Sequence, residues 1–235
     1  MAKASSEWKV LPHRPIEKLS ERVWRVEGDL DPLKRVMTIA KQSNGDLVVH
    51  NGIALEEELM AEIDAWGPVR TIVVPNGFHR LDAAVFKKRY PAAKVLCPSG
   101  ATKKVAEVVP VDGSYEDFAA DDAVRMETLE GTKGAEGALI VTDDAGTTVV
   151  LNDAMFNMPH LGGFTGFVFK TVTGSSGGPK VSRLFRTFMM KDKAAFRAHL
   201  ERLAALPGLA RIIVSHHETI ESDAAGTLRA VASSL

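Results

Sequence analysis

A strand–helix–strand–helix–strand series between residues 47 and 98 constrains the fold of this chain more than any other feature. The apolar run 70–74 is short and almost uninterrupted, as expected of a strand that is covered on both faces. The segment 55–66 instead repeats its apolar residues at the helical period. Strands separated by helices pair in parallel through right-handed crossovers, so the series predicts an α/β fold.

The rest of the chain supports two similar β/α halves. Before the series, strands are predicted at 22–27, 35–41 and 46–50; after it, at 124–129, 138–142, 147–151 and 211–214. Further helices are predicted at 82–90, 99–108, 194–206 and from 224 onward. Residues 155–182 are rich in glycine and show no clear period, which predicts a long functional or mobile loop. We expect one domain over residues 1–235, with halves of roughly 1–120 and 121–235.

Composition excludes several classes of protein. A formal net charge of -1 is unlike the basic excess of a dedicated nucleic-acid binder. No window approaches the roughly 20 apolar residues of a transmembrane helix, and the first fifteen residues have no apolar stretch that would indicate a signal peptide. We therefore expect a cytoplasmic protein that acts on a small molecule, with neither nucleic acid nor membrane as a partner. The single cysteine, Cys97, cannot supply a thiolate zinc cluster and is predicted to be a buried hydrophobic residue.

Polar side chains follow three of the predicted buried strands. Pro75–Asp82 follows the strand at 70–74, Asn152–Asn157 follows that at 147–151, and Ser215–Glu218 follows that at 211–214. Sites in α/β proteins gather at the carboxyl ends of strands. If the three loops converge, they bring together imidazoles and carboxylates that suit zinc, iron or manganese: His79, Asp82, Asp153 and either His216 or His217.

Each of these residues also has a structural explanation. Asp82 is well placed as a helix N-cap, and His79 could bond to a neighbouring backbone carbonyl. Successive side chains of a strand alternate, so only one of His216 and His217 can face inward. Asp153 could accept backbone N–H groups in its own turn. His160, at the start of the glycine-rich segment, is either a spare imidazole for the pocket or a surface residue.

These motifs together resemble the metallo-β-lactamase fold. The order of elements that leads to FKKRYPAAKVLCP resembles its first half, and VVLNDAMFN and IIVSHHE resemble the strands that deliver its metal-bridging aspartate and last histidine. The PNGFH and DAMFN segments are similar to those of an uncharacterised DUF4336-like branch. The resemblance implies a four-layer αββα sandwich over nearly the whole chain, with Asp153 and His216 as surviving ligand positions and catalytic residues.

The metal-binding motif departs from that of the family. The family loop reads His-x-His-x-Asp-His, whereas Asn76, Phe78 and Arg80 stand here where two histidines and the aspartate are expected. The region 130–137, where another histidine is expected, contains none. The resemblance therefore implies an eroded site that cannot hold two metal ions.

Two hypotheses remain open at the level of sequence. One is a hydrolase that binds a single zinc, iron or manganese ion through His79, Asp153 and His216. The other is a metal-free protein that keeps the cleft for a small molecule or a protein, with an Arg80–Asp153 ion pair in place of the metal. The fixed charge of Arg80 would repel a divalent cation, which favours the second hypothesis.

Overall fold

Two β-sheets lie face to face in the computed structural model of the protein, which describes residues 4–235. The first sheet has the strand order β1-β2-β3-β4-β5-β6. Neighbours are antiparallel up to β4, and β4, β5 and β6 are parallel, as the crossover series predicts. The six strands are Glu17–Lys18, Val23–Leu30, Leu33–Lys41, Leu47–His50, Val69–Val73 and Lys94–Leu96.

The second sheet contains four strands in the order β12-β9-β8-β7. The strands β7, β8 and β9 form an antiparallel meander, and β12 pairs with β9 in parallel. Gly146 has a φ of 107° in the turn between β8 and β9, a conformation that glycine adopts at little cost. The strands are β7 Val124–Thr128, β8 Gly137–Asp143, β9 Gly146–Leu151 and β12 Leu209–Val214.

Helices cover the outer face of each sheet. Helices α1 Glu57–Trp66, α2 Ala83–Arg89 and α3 Thr102–Val105 follow strands of the first sheet, and α3 is extended at its start by a 3₁₀ turn, Ser99–Ala101. The second half contains α4 Gly163–Phe167, α5 Arg183–Phe188, α6 Lys193–Ala204 and α7 Ala224–Ser233. Other short elements are a 3₁₀ turn at Tyr115–Asp117 and a π-helical turn at Val168–Val172.

Three apolar clusters define four layers. On β4, Leu47 and Val49 pack with the helices on the first sheet, whereas Val48 faces the other sheet. On β9, Val150 faces inward, and Val149 and Leu151 pack with α6 and α7. This alternation is the pleat of a strand that is buried on both faces. The order of layers is helix, sheet, sheet, helix, so the predicted four-layer αββα sandwich is confirmed.

The glycine-rich segment is more regular than predicted. Within residues 155–182, β10 Phe156–Met158 pairs with β11 Gly178–Lys180, and α4 and the π-helical turn lie between these strands. The sequence predicted a long functional or mobile loop here and did not indicate these elements, because they are short. Pairing between positions some twenty residues apart leaves no local hydrophobic period for a sequence pattern to reveal.

Two smaller expectations can be compared directly with the structure. Cys97 is buried in the cluster between the first sheet and its helices, as predicted, and burial raises the pKa of its thiol. Within the described chain, no helix combines the length and the apolar character that crossing a bilayer requires.

Candidate functional site

The candidate site lies where the carboxyl end of β5 in the first sheet meets the carboxyl ends of β9 and β12 in the second. His79 is in the loop after β5, Asp153 follows β9, and His216 follows β12. The sheets are joined here directly, because the Val36 N–H donates to the Ser215 carbonyl over 2.9 Å. The three loops that the sequence singled out therefore converge.

Three side-chain atoms form a nearly equilateral triangle at this point. Nε2 of His79 and Nε2 of His216 each lie 3.2 Å from Oδ1 of Asp153. The two Nε2 atoms are also 3.2 Å apart. Within the described residues this is a group of imidazole and carboxylate atoms that could hold a metal ion.

The orientation of His216 is set by the backbone of the first sheet. Its Nδ1 lies 2.8 Å from the carbonyl oxygen of Lys34. A carbonyl can only accept, so Nδ1 carries the proton and donates it, and Nε2 of the neutral ring presents a lone pair to the triangle. Phe156 stacks on the imidazole, with ring centroids 5.3 Å apart and planes inclined by 4°, which further restricts the ring.

A chain of hydrogen bonds through Asn51, which we call the relay, orients His79. Nδ2 of Asn51 donates to the Val36 carbonyl over 2.8 Å, which leaves Oδ1 of Asn51 facing Nδ1 of His79 at 3.3 Å. Nδ1 therefore donates to the amide oxygen, and the Nε2 lone pair of His79 also points into the triangle. Metal-binding histidines are commonly held by such a partner on the other ring nitrogen.

Asp153 is held by an amide behind it. Its Oδ2 accepts from Nδ2 of Asn76 over 2.7 Å, and the same amide donates to Oε1 of Glu136 over 2.5 Å. The direction of the Asn76 amide is determined because its Oδ1 accepts the backbone N–H groups of Phe78 and His79. Oδ1 of Asp153 is thereby left free to face the two imidazoles.

Glu136 is completely buried beside this amide. Burial raises its pKa well above the usual range, and the charge of Asp153 adds to the effect. Hydrogen bonds from Asn76 and Asn152 oppose the shift without overcoming it. Burial beside Asp153 therefore favours the neutral acid form of Glu136, and the negative charge of the pair lies on Asp153.

The geometry of the triangle fits a metal ion. A tetrahedral zinc with ligands at about 2.0–2.1 Å separates those ligands by about 3.3 Å, close to the 3.2 Å measured here. Two neutral imidazole lone pairs and an anionic oxygen at this separation repel one another unless a cation or a proton lies between them. The donor set therefore suits one borderline divalent ion, with a tetrahedral position left open.

The protonation of the trio follows from its mutual contacts. Burial alone would raise the pKa of Asp153, but His79 and His216 outweigh it and hold that pKa well below its usual range. Burial lowers the pKa of His216, yet its hydrogen bond to Asp153 and the charge of that carboxylate raise it overall. The raised pKa of His216 favours a proton on that ring when no metal is bound, and this proton balances part of the charge of Asp153.

The predicted Arg80–Asp153 ion pair does not form. Nη1 of Arg80 lies 2.7 Å from Oε2 of Glu107 and donates to the Lys104 carbonyl. The guanidinium is thus held by the segment that begins at α3. The electrostatic objection to a cation beside Asp153 was wrong because the following loop supplies Arg80 with another carboxylate.

Asp82 lies outside the triangle and does not cap its helix through the side chain. It precedes α2 but makes no capping hydrogen bond to it. Its Oδ2 lies 2.7 Å from Nη2 of Arg35, with both side chains buried, and accepts the Ala54 N–H over 3.2 Å. A buried guanidinium from β3 competes for this carboxylate more strongly than the helix N–H groups do.

The other alternate histidines lie outside the triangle. His160 is exposed, and its Nδ1 lies 3.1 Å from Oγ of Ser176. His217 is buried next to His216, contrary to the expectation that one of the two would be exposed. The alternation rule fails because the strand ends at Val214 and His217 has a φ of 66°, outside the extended region. His50 is fully buried, and burial, with a contribution from the charge of His79, lowers its pKa to about 3.

Sequence reasoning missed the roles of the supporting residues. Asn51 and Glu136 were not candidates, and Asn76 was noted only as a lost ligand position. A polar residue directly after a buried strand marks Asn51, as it marked Asp153. Glu136 carries no comparable signal, because a glutamate in a glycine-rich turn resembles a surface residue until its burial is known.

Comparison with known proteins identifies the fold. A metallo-β-lactamase from Erythrobacter litoralis matches with a TM-score of 0.63 at 14% identity, over 94% of this chain and 96% of that chain. The DIM-1 metallo-β-lactamase gives 0.65 at 9% identity, over 96% and 99%. The metallo-β-lactamase from Pontibacter korlensis gives 0.62 at 11% identity, over 95% and 100%.

Sequence comparison adds no closer relative, because no family model and no curated protein matches the chain. The structural likeness at these identities concerns the fold alone. The protein has the metallo-β-lactamase fold, as the resemblance of its strand ends implies.

Proposed function

We propose that the protein is a mononuclear metal-dependent hydrolase in which His79, Asp153 and His216 hold one zinc, iron or manganese ion. The observation that carries this proposal is the triangle of acceptor atoms with 3.2 Å sides. Each ligand is also supported from behind, by Asn51, Asn76 and the Lys34 carbonyl. Such support is costly to assemble around atoms that have no cation to bind.

The Asn76 amide argues for one ion rather than two. It directs its N–H groups at Oδ2 of Asp153 and at Oε1 of Glu136, where a second cation would need acceptors. Glu136 is neutral beside it and contributes no negative charge. Hydrogen bonds between the Asn76 amide, Glu136 and Asp153 therefore occupy the space in which a second ion would bind. This is the part of the site that we describe as eroded.

The chemistry of such a site is hydrolytic. When bound, a divalent ion polarises a carbonyl or phosphoryl oxygen and lowers the pKa of a coordinated water to about 7. Asp153 supplies the negative charge that retains the ion, and the two histidines fix its position through Nε2. Asp153 and His216 are the proposed catalytic residues because, with His79, they would hold the ion that activates the water.

The remaining assignments follow from sequence. We place the chain in the DUF4336-like branch on its PNGFH and DAMFN segments, and we infer a cytoplasmic protein with a small-molecule substrate from its composition.

Metal analysis of the purified protein tests the site. Protein prepared without chelators should contain close to one equivalent of zinc, iron or manganese per chain. His79→Ala should lose most of this metal because it removes one of three ligands. His160→Ala, which removes an exposed histidine, and Arg80→Ala, which removes a cation paired with Glu107, should both retain it.

Hydrolysis then tests the reaction. The loaded protein should cleave simple carboxylic or phosphoric esters, and both EDTA and Asp153→Ala should abolish the activity. Well under half an equivalent of metal, even after incubation with each ion, would contradict the site. It would favour the metal-free alternative, in which Asp153→Ala lowers the melting temperature equally with and without EDTA.

A further inference from the structure

The triangle opens into a cavity of about 520 Å³. This volume is within the range of about 300–1,000 Å³ typical of small-molecule sites. From the first half of the chain, Leu30, Leu33 and Leu81 line it. The stretch from β10 to Met189 contributes mainly aromatic and aliphatic side chains: Phe156, Phe169, Leu184, Phe188 and Met189.

Most polar groups of the wall have partners within the protein. Arg35 lines the cavity, and Asp82, 2.7 Å from its Nη2, balances its charge, although Nε and Nη2 make no hydrogen bond to the described residues. The hydroxyl oxygens of Thr173 and Ser175 are 2.7 Å apart, and Oγ of Ser182 accepts the Phe185 N–H. The wall therefore favours an uncharged, apolar group, and polar recognition is concentrated at the triangle.

The mouth of the cavity is also apolar. Phe78 is 59% exposed, Leu184 47% and Phe188 62%, and all three line the cavity. Several exposed apolar side chains at one cavity are unusual for a protein surface and commonly mark a binding site. A ligand with an apolar chain would cover these side chains while its polar end reached Asp153 and the histidines.

We propose that the substrate is an uncharged carboxylic ester with an aliphatic acyl chain, which lies along this apolar wall with its carbonyl at the triangle. The hydrolytic step rests on the proposed function, whereas binding of the chain rests on the cavity alone. In the reaction, one bond forms between the acyl carbon and a water oxygen, and the bond from the acyl carbon to the alcohol oxygen breaks. One water proton passes to the departing alcohol, and the other is released as the carboxylate forms.

Binding of the chain is tested without metal. In EDTA-treated protein, 1-butanol, 1-hexanol and 1-octanol compete with an uncharged fluorescent dye, N-phenyl-1-naphthylamine. Each added methylene should raise the affinity about fourfold if it is buried. Equal affinities for the three alcohols would overturn the inference.

Hydrolysis is tested with the metal-loaded protein. Among 4-nitrophenyl acetate, butanoate and octanoate, kcat/KM should increase with chain length. Phe188→Ser and Leu184→Ser should weaken this dependence, and both variants should fold because the two side chains are partly exposed. Phe164→Ser is the matched control, since Phe164 is 82% exposed and outside the cavity lining.

The outcomes separate the two proposals. Chain-dependent binding of alcohols without hydrolysis of any ester supports the apolar cavity and contradicts the hydrolase. Hydrolysis that is equally fast for all three esters, with alcohols bound equally, supports the hydrolase and overturns the apolar substrate. An effect of Phe164→Ser as large as that of Phe188→Ser would also overturn it, because the chain would then bind to the outer surface.

Discussion

At the scale of single residues, the properties of the site depend on the hydrogen-bond partners of its histidines and carboxylates as well as on their identities. His79 and His216 become ligand candidates because Asn51 and the Lys34 carbonyl each occupy an Nδ1. The pKa of Asp153 is lowered and that of Glu136 is raised, although the two carboxyl groups share one amide. Their different neighbours decide this: two imidazoles face Asp153, whereas Glu136 faces another negative charge.

Asn51→Ala should weaken metal binding without removing a ligand. Loss of the amide frees the His79 ring to rotate and to change its tautomer, so we expect affinity to fall about ten- to a hundredfold. Competition with a chromogenic chelator measures this. Asn44→Ala, in the exposed turn between β3 and β4, is the control for replacing an asparagine and should leave affinity unchanged. An unaltered affinity in Asn51→Ala would show that the relay does not orient His79.

Glu136→Gln should change how stability depends on pH. The native pKa of Glu136 is raised above its ordinary value of 4.5, so the native state binds a proton that the unfolded state releases. The contribution of this proton to the free energy of unfolding is therefore fully present below pH 4.5 and is lost as pH rises toward the native pKa. Glutamine keeps the acceptor for Asn76 but cannot ionise in either state.

We therefore expect the melting temperature of the metal-free Glu136→Gln variant, relative to the parent, to be higher at pH 8 than at pH 5. Glu58→Gln controls for the loss of one carboxyl group at an exposed position. The same difference at both pH values would mean that Glu136 is ionised in the native protein.

At the scale of elements, the short loops after the strands determine where the polar side chains point. The loop between β5 and α2 sends Asn76 and His79 inward, turns Arg80 toward Glu107, and fixes Asp82 on Arg35 of β3. Four polar side chains within seven residues thus have four different environments. The Arg35–Asp82 pair ties the start of α2 to the first sheet, next to the cavity.

Asp82→Ala should destabilise the protein without removing its metal. Breaking one side of a buried pair leaves Arg35 with an uncompensated charge, which costs about 3–5 kcal/mol. Urea unfolding should show this loss. The double variant Arg35→Met/Asp82→Leu should recover much of it, because no charge is then left buried. Loss of metal from folded Asp82→Ala protein would instead restore Asp82 as a ligand.

At the scale of the whole molecule, the site joins the two sheets. His79 belongs to the connections of the first sheet, whereas Asp153 and His216 follow strands of the second. The apolar cluster between the sheets, which includes Val48 and Val150, sets their spacing. An ion bound by all three residues would therefore add a link between two layers that apolar packing and the Val36–Ser215 backbone hydrogen bond already hold together.

A bound metal should accordingly stabilise the entire fold. At a free metal concentration of about 100 times the Kd, binding adds about 2.7 kcal/mol to the unfolding free energy. The melting temperature should rise on addition of zinc and fall with EDTA, and His79→Ala should be insensitive to both. His160→Ala should respond like the parent, and a response that persists in His79→Ala would place the ion elsewhere.

The amino-acid sequence alone determined the α/β class, most of the strands and helices, and the three strand ends that meet at the site. These depend on hydrophobic period and on polar residues after buried runs, which are local patterns. The resemblance of the strand ends added the metallo-β-lactamase fold, which the structural matches support.

Only the tertiary structure decided which polar groups pair. Arg80 and Asp153 are 73 positions apart in sequence, and their separation follows from Glu107 lying nearer to Arg80. The burial of Glu136 and the apolar wall beside the triangle arise in the same way, from contacts between distant segments. Pair interactions depend on distances between side chains, and those distances are set by the packing of layers rather than by any pattern along the chain.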